Sequence, residues 1–359
     1  MAVIQDLPLE LLRRILELLA TDRPSQKNLY NATLVARAWR HPSQSLLLYH
    51  MDLQNSTLCT DALRLNAGCT LRVVEVECSN AREILAALHE HDISVETLNV
   101  YGAQDSDLAM STTSLKLFAG LKSLSVARRV KGHPTIQPDT KLKLTALIVY
   151  ADLLPPLAFL DSILPAAPFL TSLKLCVGRN GELFPAEYIP LFRAIAHQLR
   201  HLAISTGILS NHPTSQASLE VTRFVASCTS LKSLELCDCG TDYIRDVASA
   251  VRAPLCVLET RMASGWNDGG TGVAELASVL ELPAMADLKR WRMCTYTGGG
   301  VILDKEERAR WEAVCRTRGV EPRDEDRFFT GKTTLLSSYP IKRRKVIALC
   351  LLSKDEEMR

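Results

Sequence analysis

The sequence predicts an α/β fold: a short all-helical module at the N-terminus, then an array of short parallel strands alternating with helices. Three observations lead there. A six-residue apolar template, L-x-x-L-x-L, recurs from Leu71 to Met293, and amphipathic helical stretches fall between its copies. The opening stretch "DLPLELLRRILELL", Asp6 to Leu19, is helical in period but too apolar for a helix that packs on one side only.

In that first element Leu9 is set at zero and each residue advances about 100°. Glu10, Arg13, Arg14 and Glu17 then occupy an arc of roughly 40° to 140°. Leu9, Leu11, Leu12, Ile15, Leu16, Leu18 and Leu19 fill about 180°, against the roughly 100° stripe of an ordinary surface helix. Such a helix can serve two surfaces. Pro8 suits the first turn, where its missing N–H is no loss, and Glu10 lies near the positive end of the helix dipole.

The template copies are "LRVVEV" from Leu71, "VETLNV" from Val95, "LKSLSV" from Leu121, "LTALIV" from Leu144 and "LTSLKL" from Leu170. "LRHLAI" from Leu199, "LKSLEL" from Leu231, "LCVLET" from Leu255 and "LKRWRM" from Leu288 continue the series, the last two weaker. The steps run from 23 to 33 residues, so the wider ones carry loop insertions. Within a copy the apolar positions suit a short half-buried strand. Between copies, residues 81–91, 186–198, 241–253 and 273–282 read as amphipathic helices bounded by turn residues. A unit of about 27 residues that cannot close its own core must stack on its neighbours, which predicts a solenoid with strands on a concave face and helices on a convex one. "LKSLELCDC", with Leu231, Leu234, Leu236 and Cys239, fits the fuller pattern ending in N/C and resembles the cysteine-containing type of leucine-rich repeat.

Asp304 to Arg323 reads as a charged amphipathic helix with Ala309, Trp311, Val314 and Cys315 on its apolar side, Gly319 as its stop and a short strand after it, a cap for the array. Residues 324–359 lose the period and are expected to be poorly ordered. Their run Lys342, Arg343, Arg344, Lys345 has the composition of a nuclear import signal, although a solvated charge run is the commoner meaning of four basic residues.

"LPLELLRRILELL" followed by "TLVARAW" resembles the F-box family, whose motif positions fall on Leu7, Pro8, Glu10, Leu11, Leu12, Ile15 and Leu16, then on Leu34, Val35, Arg37 and Trp39. "ATDRPSQKNLYNA" between the two halves is about five residues longer than the family's usual connection. In that family the helical module docks on a Skp-type adaptor and so joins a cullin-RING ubiquitin ligase, while the C-terminal domain selects the substrate. The resemblance implies an F-box-like module over 4–53, an irregular leucine-rich solenoid with its cap over 54–323 and a tail over 324–359. It implies adaptor binding by Leu7, Pro8, Leu11, Leu12, Ile15, Leu16, Val35 and Trp39, which would give the wide apolar arc its second surface.

Several stretches look chemical without the residues the chemistry needs. "GKTT" at Gly331 lacks the first glycine of a phosphate loop, whose place is taken by Asp326. "GWNDGGTG", Gly265 to Gly272, yields no G-x-G-x-x-G register. "HQLRH", His197 to His201, has Gln198 where a zinc protease needs its general-base glutamate. Cys228, Cys237 and Cys239 do not form paired C-x-x-C knuckles, so core packing is expected of them. No catalytic residue, metal ligand or cofactor is therefore assigned.

With 359 residues and 47% hydrophobic content the chain can bury a large core. Its 42 basic against 40 acidic side chains leave no global field for nucleic acid or a membrane surface. Neither a secretion signal nor an uncharged apolar run long enough to span a bilayer is seen, and the 11 scattered cysteines suit a reducing compartment. A cytoplasmic, and with the basic run nuclear, location is expected. The expected function is a non-catalytic adaptor of an SCF-type ligase, its protein substrate held by strand positions that alternate with the leucines: Lys174, Ala203, Lys232, Glu235 and Arg292. Two alternatives stand beside it: a leucine-rich scaffold that works without a ligase, and a nucleotide-using enzyme built on the Gly265 loop.

Overall fold

A computed structural model describes residues 11–12, 15–16, 50–53, 63, 70–77, 81–101, 108–109, 120–126, 130–131, 136, 139–150, 156–176, 186–205, 219–262, 272–293, 296–297, 300–301 and 305–324. The chain divides into two units, Met1–Ser123 with Pro340–Arg359, and Leu124–Tyr339.

In the first unit β1 (His50–Leu53), β2 (Thr70–Glu77) and β3 (Ser94–Tyr101) pair side by side and parallel, with Met51 opposite Val74 and Val74 opposite Leu98. Helix α1 (Ala81–Glu90) connects β2 to β3 and buries Ile84, Leu85, Ala87 and Leu88. It ends through Asp92 at φ 52°, a left-handed position that Asp tolerates better than most residues, with His91 N–H donating to Ala87 O and Ile93 N–H to Leu88 O. The strand β1 lies inside the span expected to be all helical. Its sequence "LYHMDL", from Leu48, is a further template copy with methionine at the fourth place, inside the span that the resemblance assigns to the helical module. β4 (Ser123–Val126) is buried along its length.

The second unit takes in Leu124–Val126 of β4 and goes on with β5 (Ala146–Tyr150), α2 (Leu157–Ile163), β6 (Ser172–Cys176), α3 (Ile189–Ala196), β7 (His201–Ser205) and α4 (Leu219–Ser227). It continues with β8 (Ser233–Cys239), α5 (Thr241–Ala250), β9 (Val257–Met262), α6 (Gly272–Ala277), β10 (Arg290–Met293), α7 (Lys305–Thr317) and β11 (Glu321–Asp324). From β5 to β11 each strand pairs in parallel with its successor, so the sheet follows the order of the chain and stays open. The strands of "LTSLKL" and "LRHLAI" are such neighbours, Leu173 facing Leu202 and Leu175 facing Ile204.

The template is a burial code. In all nine copies the first, fourth and sixth residues are buried, from Leu71, Val74 and Val76 to Leu288, Trp291 and Met293. Burying one such side chain is worth about 1.5–3 kcal/mol, which is why so short a strand keeps its register. A second regularity lies in the backbone. The carbonyl at the second template position accepts two N–H groups from the next copy: Thr145 O from Thr171 and Ser172, Thr171 O from Arg200 and His201, and Arg200 O from Lys232 and Ser233. Lys232 O and Cys256 O repeat the pattern.

Helices form at the four stretches expected, and also at α2 and α4, which bury Phe159, Leu160 and Ile163, and Val221, Phe224 and Val225. Phe192 of α3 meets Phe224 of α4 edge-on at 6.3 Å. The cap is present as well. α7 buries Trp311, edge-on to Trp291 at 6.5 Å, and Cys315, while Ala309 is exposed and Val314 only half-buried. Gly319 at φ +68° then lets Val320 N–H reach Cys315 O and carries the chain into β11. Residues 325–359, with their basic run, lie outside the described residues. Among the described residues no helix is long and apolar enough to cross a membrane.

Candidate functional site

The N-terminal helix is described at four positions, and they divide its apolar arc in two. Leu12 and Leu16 are buried, at 2% and 0% exposure, whereas Leu11 and Ile15 stand 55% and 38% exposed, one turn apart. On the angular scale used above, the buried pair sits near 300–340° and the exposed pair near 200–240°. Leu12 and Leu16, both expected at an adaptor, are thus already packed against the chain itself. Leu7, Pro8, Val35 and Trp39 lie outside the described residues.

The second site is the face of the second unit's sheet opposite its leucines. Strand alternation and register align Lys174, Ala203, Glu235, Glu259, Arg292 and Arg323 in one row across six neighbouring strands. Lys174 Nζ donates to Glu235 Oε1 at 3.3 Å, spanning the intervening strand over the small side chain of Ala203. Arg292 Nη1 donates to Glu259 Oε2 at 3.2 Å. The two carboxylates face each other in register, an arrangement that repels unless each is neutralised from outside, as both are here. Burial works against the Lys174 ammonium, but Glu235 and the neighbouring Cys237 and Cys176 outweigh it, so its pKa is raised and it stays charged throughout ordinary pH.

One row nearer the strand starts, Arg290 Nε donates to Glu321 Oε2 at 3.0 Å, and Arg323 Nε reaches Glu321 Oε1 at 3.1 Å. The Arg323 hydrogen bond, with that of Arg290, holds the exposed Glu321 carboxyl below the usual carboxylate range. On the other side Cys237 Sγ donates to Glu235 Oε1, and burial pushes the Tyr150 phenol up. The row is a fixed pattern of charge, suited to recognising a complementary surface.

Four of the five strand positions expected at a substrate surface are in this row. Lys232 is not. It precedes β8, on the edge where the strands begin. Glu259, Arg290, Glu321 and Arg323 belong to the same face and were not singled out from sequence, although Glu259 holds in "LCVLET" the place that Glu235 holds in "LKSLEL".

Other residues that looked chemical are placed as follows. Cys228, Cys237 and Cys239 are buried, and Cys239 Sγ donates to Cys237 O at 3.2 Å. His197 follows α3 and His201 opens β7, so the pair does not share the helix that a zinc-protease spacing requires. Gln198 between them ties its repeat to the previous one through Ala167 O. The Gly265 and Gly331 loops lie outside the described residues, apart from Gly272 at the start of α6. In comparisons with known proteins, the chain matches no protein-family model and no curated sequence.

Proposed function

We propose that this chain is a non-catalytic substrate-recognition adaptor of an SCF-type ubiquitin ligase, acting inside the cell. Its F-box-like N-terminal module docks on a Skp-type adaptor, and its irregular leucine-rich solenoid holds a protein substrate on the face that carries Lys174, Ala203, Glu235 and Arg292. The mechanism is proximity: holding a target lysine near a ubiquitin-charged enzyme raises its effective concentration without bond chemistry by this chain.

One observation supports the reading above the rest. The opening helix spends Leu12 and Leu16 on its own core and leaves Leu11 and Ile15 exposed on the adjoining strip, at positions that the F-box motif also occupies. An apolar pair left in water next to a packed strip is what a docking helix requires.

The test is a pull-down of Skp-type adaptor with wild-type chain and with Leu11→Ala/Ile15→Ala, alongside a thermal melt of each. Burying two such anchors at an interface is worth about 2 kcal/mol or more, so the double substitution should weaken binding at least about tenfold. The melt should not move, because both side chains are exposed in the free chain. If the wild-type chain binds no adaptor, the ligase reading falls and a ligase-independent scaffold takes its place. Loss of binding together with a collapsed melt would assign the two residues to packing.

A further inference from the structure

The loops that lead into the strands of the second unit form one continuous edge. Leu142 N–H donates to Ala166 O, Gln198 Nε2 to Ala167 O, and the second-position carbonyls join the rest, Arg200 O to Lys232 N–H at 2.8 Å and Cys256 O to Lys289 N–H at 3.0 Å. Its charge is one-sided. Over residues 141–145, 166–171, 197–200, 229–232, 252–256 and 286–289 there are six cations, Lys141, Lys143, Arg200, Lys232, Arg252 and Lys289, against the single acid Asp287. All six cations are exposed. The edge thus holds a net +5, six minus one, in a chain whose net charge is +2, so everything else sums to −3.

Two further features make this edge a surface for a partner. The backbone positions of Arg200 and Lys232 are held in the array, because their carbonyls are the ones that bind the next repeat. Adjacent strands lie about 4.8 Å apart, which sets Arg200 beside Lys232 and Lys289 two strands beyond. Phe169 stands on the same edge with 54% of its surface in water, among the largest exposed apolar side chains described. An aromatic ring left exposed on an edge that carries cations is an anchor with a charged border.

The geometry points to a docking site for a carboxylate-rich peptide segment of a partner protein, carrying an apolar residue that covers Phe169. Charge complementarity supplies the partner's sign, and the isolated ring supplies its apolar residue. A nucleic-acid strand fits less well, since it needs a stacking surface for successive bases and the edge offers one ring. The site is distinct from the charge row on the sheet face and does not depend on the N-terminal helix.

The experiment is fluorescence anisotropy on the full chain with a labelled peptide of Glu residues around one Leu. The same peptide with Gln for Glu, and an oligothymidylate strand, are the comparison probes. The acidic peptide should bind, lose affinity as salt rises, and outcompete the Gln peptide. Arg200→Glu/Lys232→Glu/Lys289→Glu should weaken it at least about tenfold, and Phe169→Ser about threefold or more. Lys305→Glu/Arg316→Glu, on α7, should leave it unchanged, and a melt of each variant checks folding. No binding by the wild-type chain, equal loss with the α7 control, or oligothymidylate binding as tightly and displacing the peptide would each overturn the proposal.

Discussion

Thr260 is a polar residue at the sixth template position, where the other copies carry valine, leucine, isoleucine or methionine, and it is fully buried. Its partner is the other exception. Trp291 takes a fourth position that in the other eight copies from Leu71 onward holds leucine or valine, and its Nε1–H donates to Thr260 Oγ1 at 3.0 Å. Thr260→Val keeps the volume and leaves the buried indole N–H without its acceptor, which costs about 1–3 kcal/mol. Trp291→Phe removes the donor but opens space beside Trp311, at a cost of about 2 kcal/mol or more. The double variant should be less destabilised than the sum by about 1 kcal/mol, because the orphaned donor is gone. Urea unfolding followed by far-UV circular dichroism, with slopes compared, measures all four proteins. If Thr260→Val stays within about 0.5 kcal/mol of wild type, or the two changes simply add, this hydrogen bond does not explain the pair.

Two more expectations concern groups whose surroundings are fixed by the fold. Burial pushes the Cys228 and Cys315 thiols up from 9.0 to about 12, with Glu312 adding to the effect at Cys315. The neutral thiol is thus favoured in the folded chain, so the stability it brings is complete below pH 9.0 and is lost as pH climbs toward about 12. Unfolding midpoints should fall over that interval, less steeply in Cys228→Ala/Cys315→Ala, and mass spectrometry of alkylated folded protein should find, among the described cysteines, Cys176 and Cys256 labelled before Cys228 and Cys315. Equal labelling of the buried pair would contradict this. Gly319, at φ +68° with nothing within 4 Å of a built Cβ, should lose about 1 kcal/mol as Gly319→Ala and less as Gly319→Asn, read from melts; an unchanged melt would show that the left-handed turn is not required.

The strands were legible because each copy of the template puts the same three places against the core, and one face of a sheet is enough to reveal a period. What hid β1 was its place: "LYHMDL" follows directly on the stretch that resembles the F-box motif and was counted with that helical module. α2 and α4 were less visible for another reason. "PLAFLDSIL" and "SLEVTRFVAS" are short, and their few buried residues give too little period to separate a helix from an apolar loop. The charge row could be read in part, since alternation places Lys174, Glu235 and Arg292 outward whatever the register. Who pairs with whom could not. That Lys174 reaches past Ala203 to Glu235 depends on three strands lying in one order, which no single copy encodes. Lys232 was assigned to the face because its template place was counted as strand, whereas the strand begins one residue later.

The doubly accepting carbonyls give the array a direction. At the five junctions from β5 to β10 the earlier repeat offers one oxygen and the later repeat commits two N–H groups, from Thr171 and Ser172 through to Lys289 and Arg290, whereas at β11 Lys289 O takes Glu321 N–H alone, Pro322 having none to give. A buried donor without a partner is harder to tolerate than an acceptor short of one. At a trimmed end neither group stays buried: removing repeats from the C-terminal side leaves this oxygen to water, and removing them from the other side leaves two N–H groups to it. The two ends of a shortened unit thus ask opposite things of solvent at this position, a donor at one end and two acceptors at the other.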